Sequence, residues 1–389
     1  MYHLTITAMC KSNPPWRSLR WGLKQPACRL RYRVSVKGLA ATPERFSWDA
    51  RLFTPTLNYL PGLPRTHEPF ASVTYPRFGS MGVDMFCSFR DGKAGLGNDH
   101  LYLYRPETGR FSYVGKHLTG VNSNPYVHGI DYRNGRLHIT WVYRGFVHYD
   151  GWDDPLDTKH KQQAGPNGAA NNHNICYAFS DDKGYTWKNA KGSAVASLKH
   201  GETITNDSDG VVAFAIPRGS GLSNQESQAV DHLDGVHILN RGYDAQGQYV
   251  WKHYYRPSEG KVTHETSQAP PPIDFHGRAE NMQGGWEDRR LDSIVGNQRG
   301  QLAITSDGRL YIVLPKATTS TISILSATRA RSYKDYVRVW EGTGLHGEPL
   351  IDTYRLQEDG VLSLFIRQSG GEPGSSMRVV VADFNLALV

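Results

Sequence analysis

One short pattern of apolar and polar positions recurs along the chain. A glycine is followed by alternating apolar residues and then by a basic residue. The copies are Gly82–Arg90, Gly135–Arg144, Gly235–Arg241, Gly308–Lys316 and Gly360–Arg367. A period of two predicts a strand, and the glycine predicts a tight turn before it. The basic residues are 54, 97, 75 and 51 positions apart, which predicts a unit of about 50 residues and hence about seven units.

A second motif indicates how the strands are joined. Ser180–Trp187 reads Ser-Asp-Asp-Lys-Gly-Tyr-Thr-Trp, which is typical of the turn between the third and fourth strands of a propeller blade. Weaker copies occur at Leu101–Gly109 and His253–Gly260, and no stretch has a period of 3.6 residues. The sequence therefore predicts an all-β fold, a β-propeller of seven four-stranded blades, with a pair of β-sandwiches as the alternative.

The charge is concentrated at the N-terminus. Of 44 Lys and Arg residues, eight lie in residues 1–40, where there is no Asp or Glu, which leaves 36 basic against 37 acidic residues in the rest. We predict that residues 1–45 are an atypical basic extension, which could be a transit peptide or a wrongly assigned gene start. Residues 46–389 are predicted to form one propeller domain. The balanced charge of that domain argues against a nucleic-acid partner.

The four cysteines are too few and too scattered for a disulfide framework. No apolar run has the length of about 18 residues that a membrane helix needs, so we expect no membrane partner. No signal peptide is recognisable either.

The predicted strands place polar residues at one end of the propeller. In an antiparallel blade the second strand ends where the first and third begin. The five basic residues that end the repeats would therefore converge with His128, at the start of a first strand, and with His100 and His173, at the starts of third strands. Such a cluster calls for an anionic ligand. The alternative is that each is a solvated residue or pairs with an acid of a neighbouring blade.

Several short motifs together resemble the propeller family of ulvan lyases and rhamnose-glucuronate lyases, which carry BNR repeats. They lie between about residues 70 and 265 and are Val73–Phe78, Arg90 to Gly92, Gly95–Asn98, Asn124–His128, Gly135–Trp141, Asn172–His173, Ser180–Trp187, Leu222–Gln225 and Asp234–His237.

The resemblance implies β-elimination at a uronic acid that is linked through its O4 to rhamnose. A cation neutralises the carboxylate, and His or Tyr residues then remove the C5 proton and protonate the leaving O4. By the same resemblance the catalytic residues are His128, His173, Arg241 and Tyr254. Arg241, and secondarily Arg90 or Arg144, is the cation expected to neutralise the carboxylate. The residues expected to bind substrate are Arg90, Asn98, His100, Arg144, Asn224, Gln225, Lys316 and Arg367.

Three departures from the ulvan-cleaving pattern are visible. His100 is additional, the loop from Gly145 to Asn172 is long, and no further set of sulfate-binding cations is apparent. An unsulfated rhamnosyl-glucuronate, as in plant arabinogalactan, is therefore the favoured substrate, with ulvan-like acidic glycans as the other. The remaining hypotheses are a non-catalytic propeller that binds acidic glycans and a sialidase-like or rhamnosidase-like hydrolase. We expect no metal or other cofactor in catalysis, leave a structural metal ion open, and expect a monomer acting outside the cell.

Overall fold

Antiparallel strands dominate the computed structural model. It describes residues 30–39, 42–71, 73–91, 97–120, 123–151, 166–258, 285–291, 296, 298–316, 318–369 and 378–386. One short α-helix, α1, spans Thr353–Asp359. Short 3-10 helices lie at Pro43–Arg45, Ala50–Leu52, Glu68–Ala71, Ala169–Asn171, Leu198–His200 and Arg329–Arg331. Within these ranges no helix has the length and apolar character to cross a membrane.

The strands of the described residues form five sheets, and their order in each sheet is the order of the chain except for one strand of the second sheet. The first contains β1 Thr74–Met81, β2 Asp84–Arg90, β3 Asp99–Arg105 and β4 Arg110–Leu118. The second contains β5 Ser123–Arg133, β6 Arg136–Gly145, β7 Asn172–Ser180, β8 Thr186–Lys188 and β9 Ala194–Ser197, with β10 Val212–Phe214 paired to β7.

The third sheet contains β11 Ser227–Val230, β12 Val236–Tyr243, β13 Tyr249–Arg256 and β14 Glu287–Arg290. The fourth contains β15 Gln301–Ile304, β16 Arg309–Lys316, β17 Thr321–Thr328 and β18 Val337–Thr343. The fifth contains β19 Leu345–Ile351, β20 Val361–Gln368 and β21 Val379–Asn385.

Consecutive sheets pack face to face through separate apolar clusters, as the blades of a propeller do. Leu103 and Trp141 belong to the cluster between the first two blades, and Val142 and Ile238 to the next. Further clusters join the third blade to the fourth and the fourth to the fifth. Each cluster removes apolar surface of two blades from water, and this burial is the main stabilising term between them.

The all-β propeller prediction is confirmed, but the predicted number of seven blades is wrong, because the structure shows five. Each of the five glycine-to-basic repeats supplies the second strand of one blade. The number of repeats is therefore equal to the number of blades. Dividing the length by the period failed because the second blade holds six strands and residues 30–39 and 42–71 lie outside all five sheets.

The predicted turns form as the sequence indicates. Gly135 has a φ of 83° between β5 and β6, a conformation that side chains with a Cβ rarely adopt. In the turn between β7 and β8, the Ser180 hydroxyl donates to Asp182 and accepts from the Gly184 amide, both at 2.8 Å. Trp187 follows and is fully buried between the first two blades.

Part of the predicted N-terminal extension packs on the propeller. Leu30 and Tyr32 are each 1% exposed and belong to the cluster that covers the outer face of the first blade. The Tyr32 hydroxyl donates to the Tyr59 carbonyl at 3.0 Å. The packed unit therefore includes residues before position 46. Residues 1–29 lie outside the described residues.

Candidate functional site

The five predicted basic residues all lie at the same end of their blades. Arg90 and Lys316 end β2 and β16, while the other three lie one or two residues before the ends of β6, β12 and β20. Arg90 is opposite Thr74 and Asp99 in the sheet, at the starts of β1 and β3. We call this end of the propeller, where second strands end and first and third strands begin, the mouth.

Arg90 and Arg144 meet at the ring of Tyr126. The Cζ atom of each lies 4.9 Å from the centroid of that ring, so the two guanidinium carbons are within twice that distance of each other. Arg90 also donates to the Thr74 hydroxyl at 3.1 Å, and Arg144 donates to the Asn172 side-chain oxygen at 2.7 Å. These partners are neutral, and among the described residues neither arginine forms an ion pair with an acid.

Buried donors without a partner mark the same region. Arg90 is 5% exposed, and its Nη1 has no hydrogen-bond partner among the described residues. The same is true of Asn124 Nδ2 and His128 Nδ1. A buried donor left unpaired costs about 1–3 kcal/mol. Three of them on neighbouring elements suit a ligand rich in acceptors.

His128 is the sixth residue of β5 and not its first, so it lies further along the strand than predicted, in contact with the third blade. Its Nε2 is 2.8 Å from Asn240 Nδ2, and Asn240 precedes Arg241 in β12. The structure therefore brings His128 to the residue before Arg241, whose own side chain points to the other face of β12 and covers Trp251. Burial, with the positive charge of Arg77 as a second cause, lowers the pKa of His128 to about 3. His128 is thus neutral at neutral pH.

Arg241 has an acidic partner, unlike Arg90 and Arg144. Its Nη2 lies 2.7 Å from Oε1 of Glu226, a side chain that is fully buried, and its Nη1 donates to the Gly296 carbonyl. The guanidinium also covers the Trp251 ring at 5.0 Å. Burial raises the pKa of Glu226 to about 7 although Arg241 acts in the opposite direction. At neutral pH Arg241 therefore faces a buried carboxyl that is only partly ionised, at a distance of 2.7 Å.

His173 lies at the mouth end of β7. Its Nε2 is 3.3 Å from the Ser123 hydroxyl, and its ring stacks on Tyr143 with centroids 6.0 Å apart. Burial and then the charge of Arg218 lower its pKa, so its imidazole is also neutral at neutral pH. Its neighbour Asn172 connects it to Arg144.

Two of the other predicted binding residues, Asn98 and His100, have structural partners. Asn98 accepts hydrogen bonds from Thr119 Oγ1 and the Gly120 amide, at 3.2 and 2.9 Å. His100 is held between Asp91, at 2.7 Å, and the Tyr113 hydroxyl, at 2.8 Å.

Lys316 lies 3.4 Å from Glu341, while Arg367 is exposed and packs against Gly347. Asn224 is partly exposed beside Gln225.

Tyr254 lies away from the mouth. In β13, Trp251 is opposite Arg241, whereas Tyr254 is opposite Ile238, three residues further and hence about 10 Å along the strand. It is 3% exposed and packs edge-to-face on Phe214, with centroids 4.7 Å apart, in the cluster between the second and third blades. The resemblance rested on a short stretch here, and the register moves that tyrosine into the core.

Tyr249, which we did not predict, occupies the mouth end of β13. It is opposite Tyr243, two residues before Trp251. Burial raises the pKa of its phenol. The charge of Arg241 lowers that pKa and the charge of Glu226 raises it, both by less than burial does. Its position five residues before Tyr254 on the same strand could be found only from the sheet register.

A chain of hydrogen bonds crosses all five blades beneath the mouth, and sequence reasoning missed most of it. Arg77 Nη2 and Gln225 Nε2 both donate to the Val127 carbonyl, at 2.8 and 3.4 Å. Arg299 Nε donates to the Gln225 carbonyl at 2.9 Å, and its Nη1 lies 3.0 Å from Glu348. Gln225, predicted to bind substrate, is therefore part of the framework that joins the blades.

A metal site is not evident in the part of the chain that the structure describes, since no group of three or more His, Cys, Asp or Glu residues there is placed to hold an ion. Cys87 and Cys176 are buried free thiols.

Solved structures with the same fold include carbohydrate-active enzymes. The crystal structure of the polysaccharide lyase Uly1 is 17% identical and has a TM-score of 0.59, covering 92% of this chain and 69% of that one. The structure of a PL25 ulvan lyase is 12% identical with a TM-score of 0.56, covering 92% of this chain and 70% of that one. An α-L-arabinanase of Penicillium chrysogenum is 12% identical with a TM-score of 0.49, covering 95% and 88%. The likenesses to the two lyases show the propeller fold.

The sequence comparisons give the family. No curated protein sequence matches this chain. A profile described as "BNR repeat-containing family member" matches residues 25–269, which is more than half of the chain and includes the first two blades and most of the third. The chain therefore belongs to the BNR repeat-containing family.

Proposed function

We propose that the protein is a polysaccharide lyase that cleaves a rhamnose–glucuronate linkage by β-elimination, breaking the C4–O4 bond of the glucuronate so that O4 leaves with the rhamnose. The observation that carries the proposal is the pair of guanidinium groups at Tyr126. Arg90 and Arg144 have no acid partner among the described residues, and Arg90 keeps one buried nitrogen unpaired. A guanidinium binds a carboxylate with two parallel hydrogen bonds. The structural likeness to two polysaccharide lyases also supports the proposal that the protein is a lyase.

The chemistry needs a neutralised carboxylate and a base. When a cation binds the uronate carboxylate, the C5 proton becomes more acidic, because the negative charge that develops on the carboxylate oxygens is stabilised. His173 is neutral and accessible enough to accept that proton. The C5 electrons then form the C4–C5 double bond while the C4–O4 bond breaks. O4 takes a proton from the imidazolium formed on His173 or from a tyrosine at the mouth such as Tyr249.

Arg90 and Arg144 replace Arg241 as the first choice for the neutralising cation. Arg241 faces the buried carboxylate of Glu226 at 2.7 Å, so a substrate carboxylate would have to compete with it. We keep an unsulfated rhamnosyl-glucuronate as the substrate, with action outside the cell, where such glycans lie.

Product analysis in ¹⁸O-water tests the proposal. The protein is incubated with an arabinogalactan that carries rhamnosyl-glucuronate and with ulvan, while ultraviolet absorbance and product masses are recorded. Elimination gives an unsaturated uronate that absorbs in the ultraviolet and contains no ¹⁸O. Incorporation of ¹⁸O at the cleaved bond would establish a hydrolase instead. Tight binding of either glycan without cleavage would establish a binding module and overturn the lyase.

A further inference from the structure

The side chain of Asn240 has a fixed orientation. Its Oδ1 accepts hydrogen bonds from the backbone amides of Ser223, at 3.0 Å, and Arg241, at 2.7 Å. Its Nδ2 donates to the Ser223 carbonyl at 3.3 Å. Exchanging the amide oxygen and nitrogen would set two N–H donors against an NH₂ group. The Asn240 nitrogen therefore faces His128.

This orientation determines where the His128 proton lies. Asn240 Nδ2 is a donor only, so His128 Nε2, at 2.8 Å, must accept. An imidazole nitrogen that accepts a hydrogen bond carries a lone pair, and the proton of the neutral ring is then on the other nitrogen. That nitrogen, Nδ1, is buried and has no partner among the described residues. His128 thus holds a buried N–H donor without a partner among the described residues.

A ring in this state is unsuited to proton transfer. Its one lone pair is occupied by Asn240, so it cannot accept the C5 proton without losing that hydrogen bond. A neutral imidazole is also too weak an acid to release its remaining proton. What it can do is donate a hydrogen bond that strengthens as negative charge grows on an oxygen, as a neutral histidine can do beside a developing enolate.

We infer that Asn240 is a positioning residue that holds His128 as the Nδ1–H tautomer, so that His128 donates a hydrogen bond to the uronate carboxylate and transfers no proton. The inference rests on the proposed function and assigns His128 to the same task as Arg90. The C5 proton then goes to a different group, and His173 is the neutral imidazole available at the mouth.

The tautomer is measured by long-range ¹H–¹⁵N correlation on protein labelled with ¹⁵N-histidine, with the His128 signals identified by their loss in His128→Gln. We expect Nδ1 to be protonated and Nε2 unprotonated. In Asn240→Asp the carboxylate faces Nε2 and can only accept, so the tautomer should reverse. Asn189→Asp is the matched control. Asn189 is equally buried and likewise accepts from two backbone amides and donates to a carbonyl, but it caps a turn after β8.

Kinetics complete the test. Removing one preorganised donor to a developing oxyanion costs about 100- to 1000-fold in kcat, so we expect a fall of that size for Asn240→Asp, and no comparable fall for Asn189→Asp. A wild-type spectrum with Nε2 protonated would overturn the inference, as would a reversed tautomer with unchanged kcat. The spectrum of the ligand-free protein decides the tautomer whether or not any uronate is cleaved. Failure of the proposed function and failure of this inference are therefore distinguishable.

Discussion

Replacing Arg90 by glutamine should weaken the binding of ligand but change the stability of the fold only slightly. In the folded protein Arg90 makes one hydrogen bond to Thr74, worth about 1 kcal/mol, and covers two tyrosine rings, each contact worth about 0.5–2 kcal/mol. Against these stands the buried Nη1 without a partner, which costs about 1–3 kcal/mol. Since the opposing contributions are of similar size, the free energy of unfolding should change by no more than about 2 kcal/mol.

The effect on ligand binding should be larger. A charge-assisted hydrogen bond contributes about 1.5–3 kcal/mol, and each 1.4 kcal/mol is a factor of ten in affinity. We therefore expect Arg90→Gln to weaken the binding of a glucuronate-containing oligosaccharide about 10- to 150-fold. Isothermal titration calorimetry measures the affinity, and urea denaturation measures the free energy of unfolding on the same samples.

Arg256→Gln provides the matched control. Arg256 is 3% exposed, covers the Tyr177 ring at 5.5 Å and donates to the Ala190 carbonyl at 3.0 Å, but it lies opposite Val236 at the other end of its blade. This variant should keep its affinity, and its free energy of unfolding should change by an amount similar to that in Arg90→Gln. The reasoning fails if Arg90→Gln binds as tightly as the wild type, or if both variants lose affinity equally.

Two further predictions concern pH. The charge of Arg218 contributes to the lowered pKa of His173, so Arg218→Gln should raise that pKa. The acidic limb of the pH profile of kcat/KM should then move to higher pH. If the limb does not move, His173 is not the base. Burial raises the pKa of Glu226 from 4.5 to about 7, so the folded protein keeps a proton that the unfolded chain releases between these values. The free energy of unfolding should then fall as pH rises from about 4.5 to 7, and denaturation of Glu226→Gln should show a smaller fall over that window; an identical pH dependence would contradict the assignment.

The sequence allowed the strands and their ends to be predicted, because both depend on local signals. The alternation of apolar and polar residues from Gly135 to Arg144 is enough to indicate a strand, and the residues of Ser180–Trp187 are enough to indicate a turn. The structure forms both. The position of each basic residue at the mouth then followed from antiparallel pairing. The blade count failed because segments outside the sheets have no repeat and were counted as though they had one.

The partners of the site residues could not be predicted, because they are set by packing between distant segments. Nothing near His128 indicates Asn240, which lies 112 positions along the chain on another blade. Glu226 and Arg241 meet only when β11 and β12 pair, and that contact changes which arginine is available to a substrate. Tyr254 was misplaced for the related reason that its register within β13 has no local signal.

A crystal structure of His173→Ala with an uncleaved rhamnosyl-glucuronate oligosaccharide tests the central claim most directly. We predict that the uronate carboxylate lies within hydrogen-bond distance of Arg90 Nη1 and His128 Nδ1, with C5 facing the space left by the missing imidazole. A carboxylate held elsewhere, for example by Lys316 or Arg367, or a sugar bound at the opposite end of the propeller, would contradict this account.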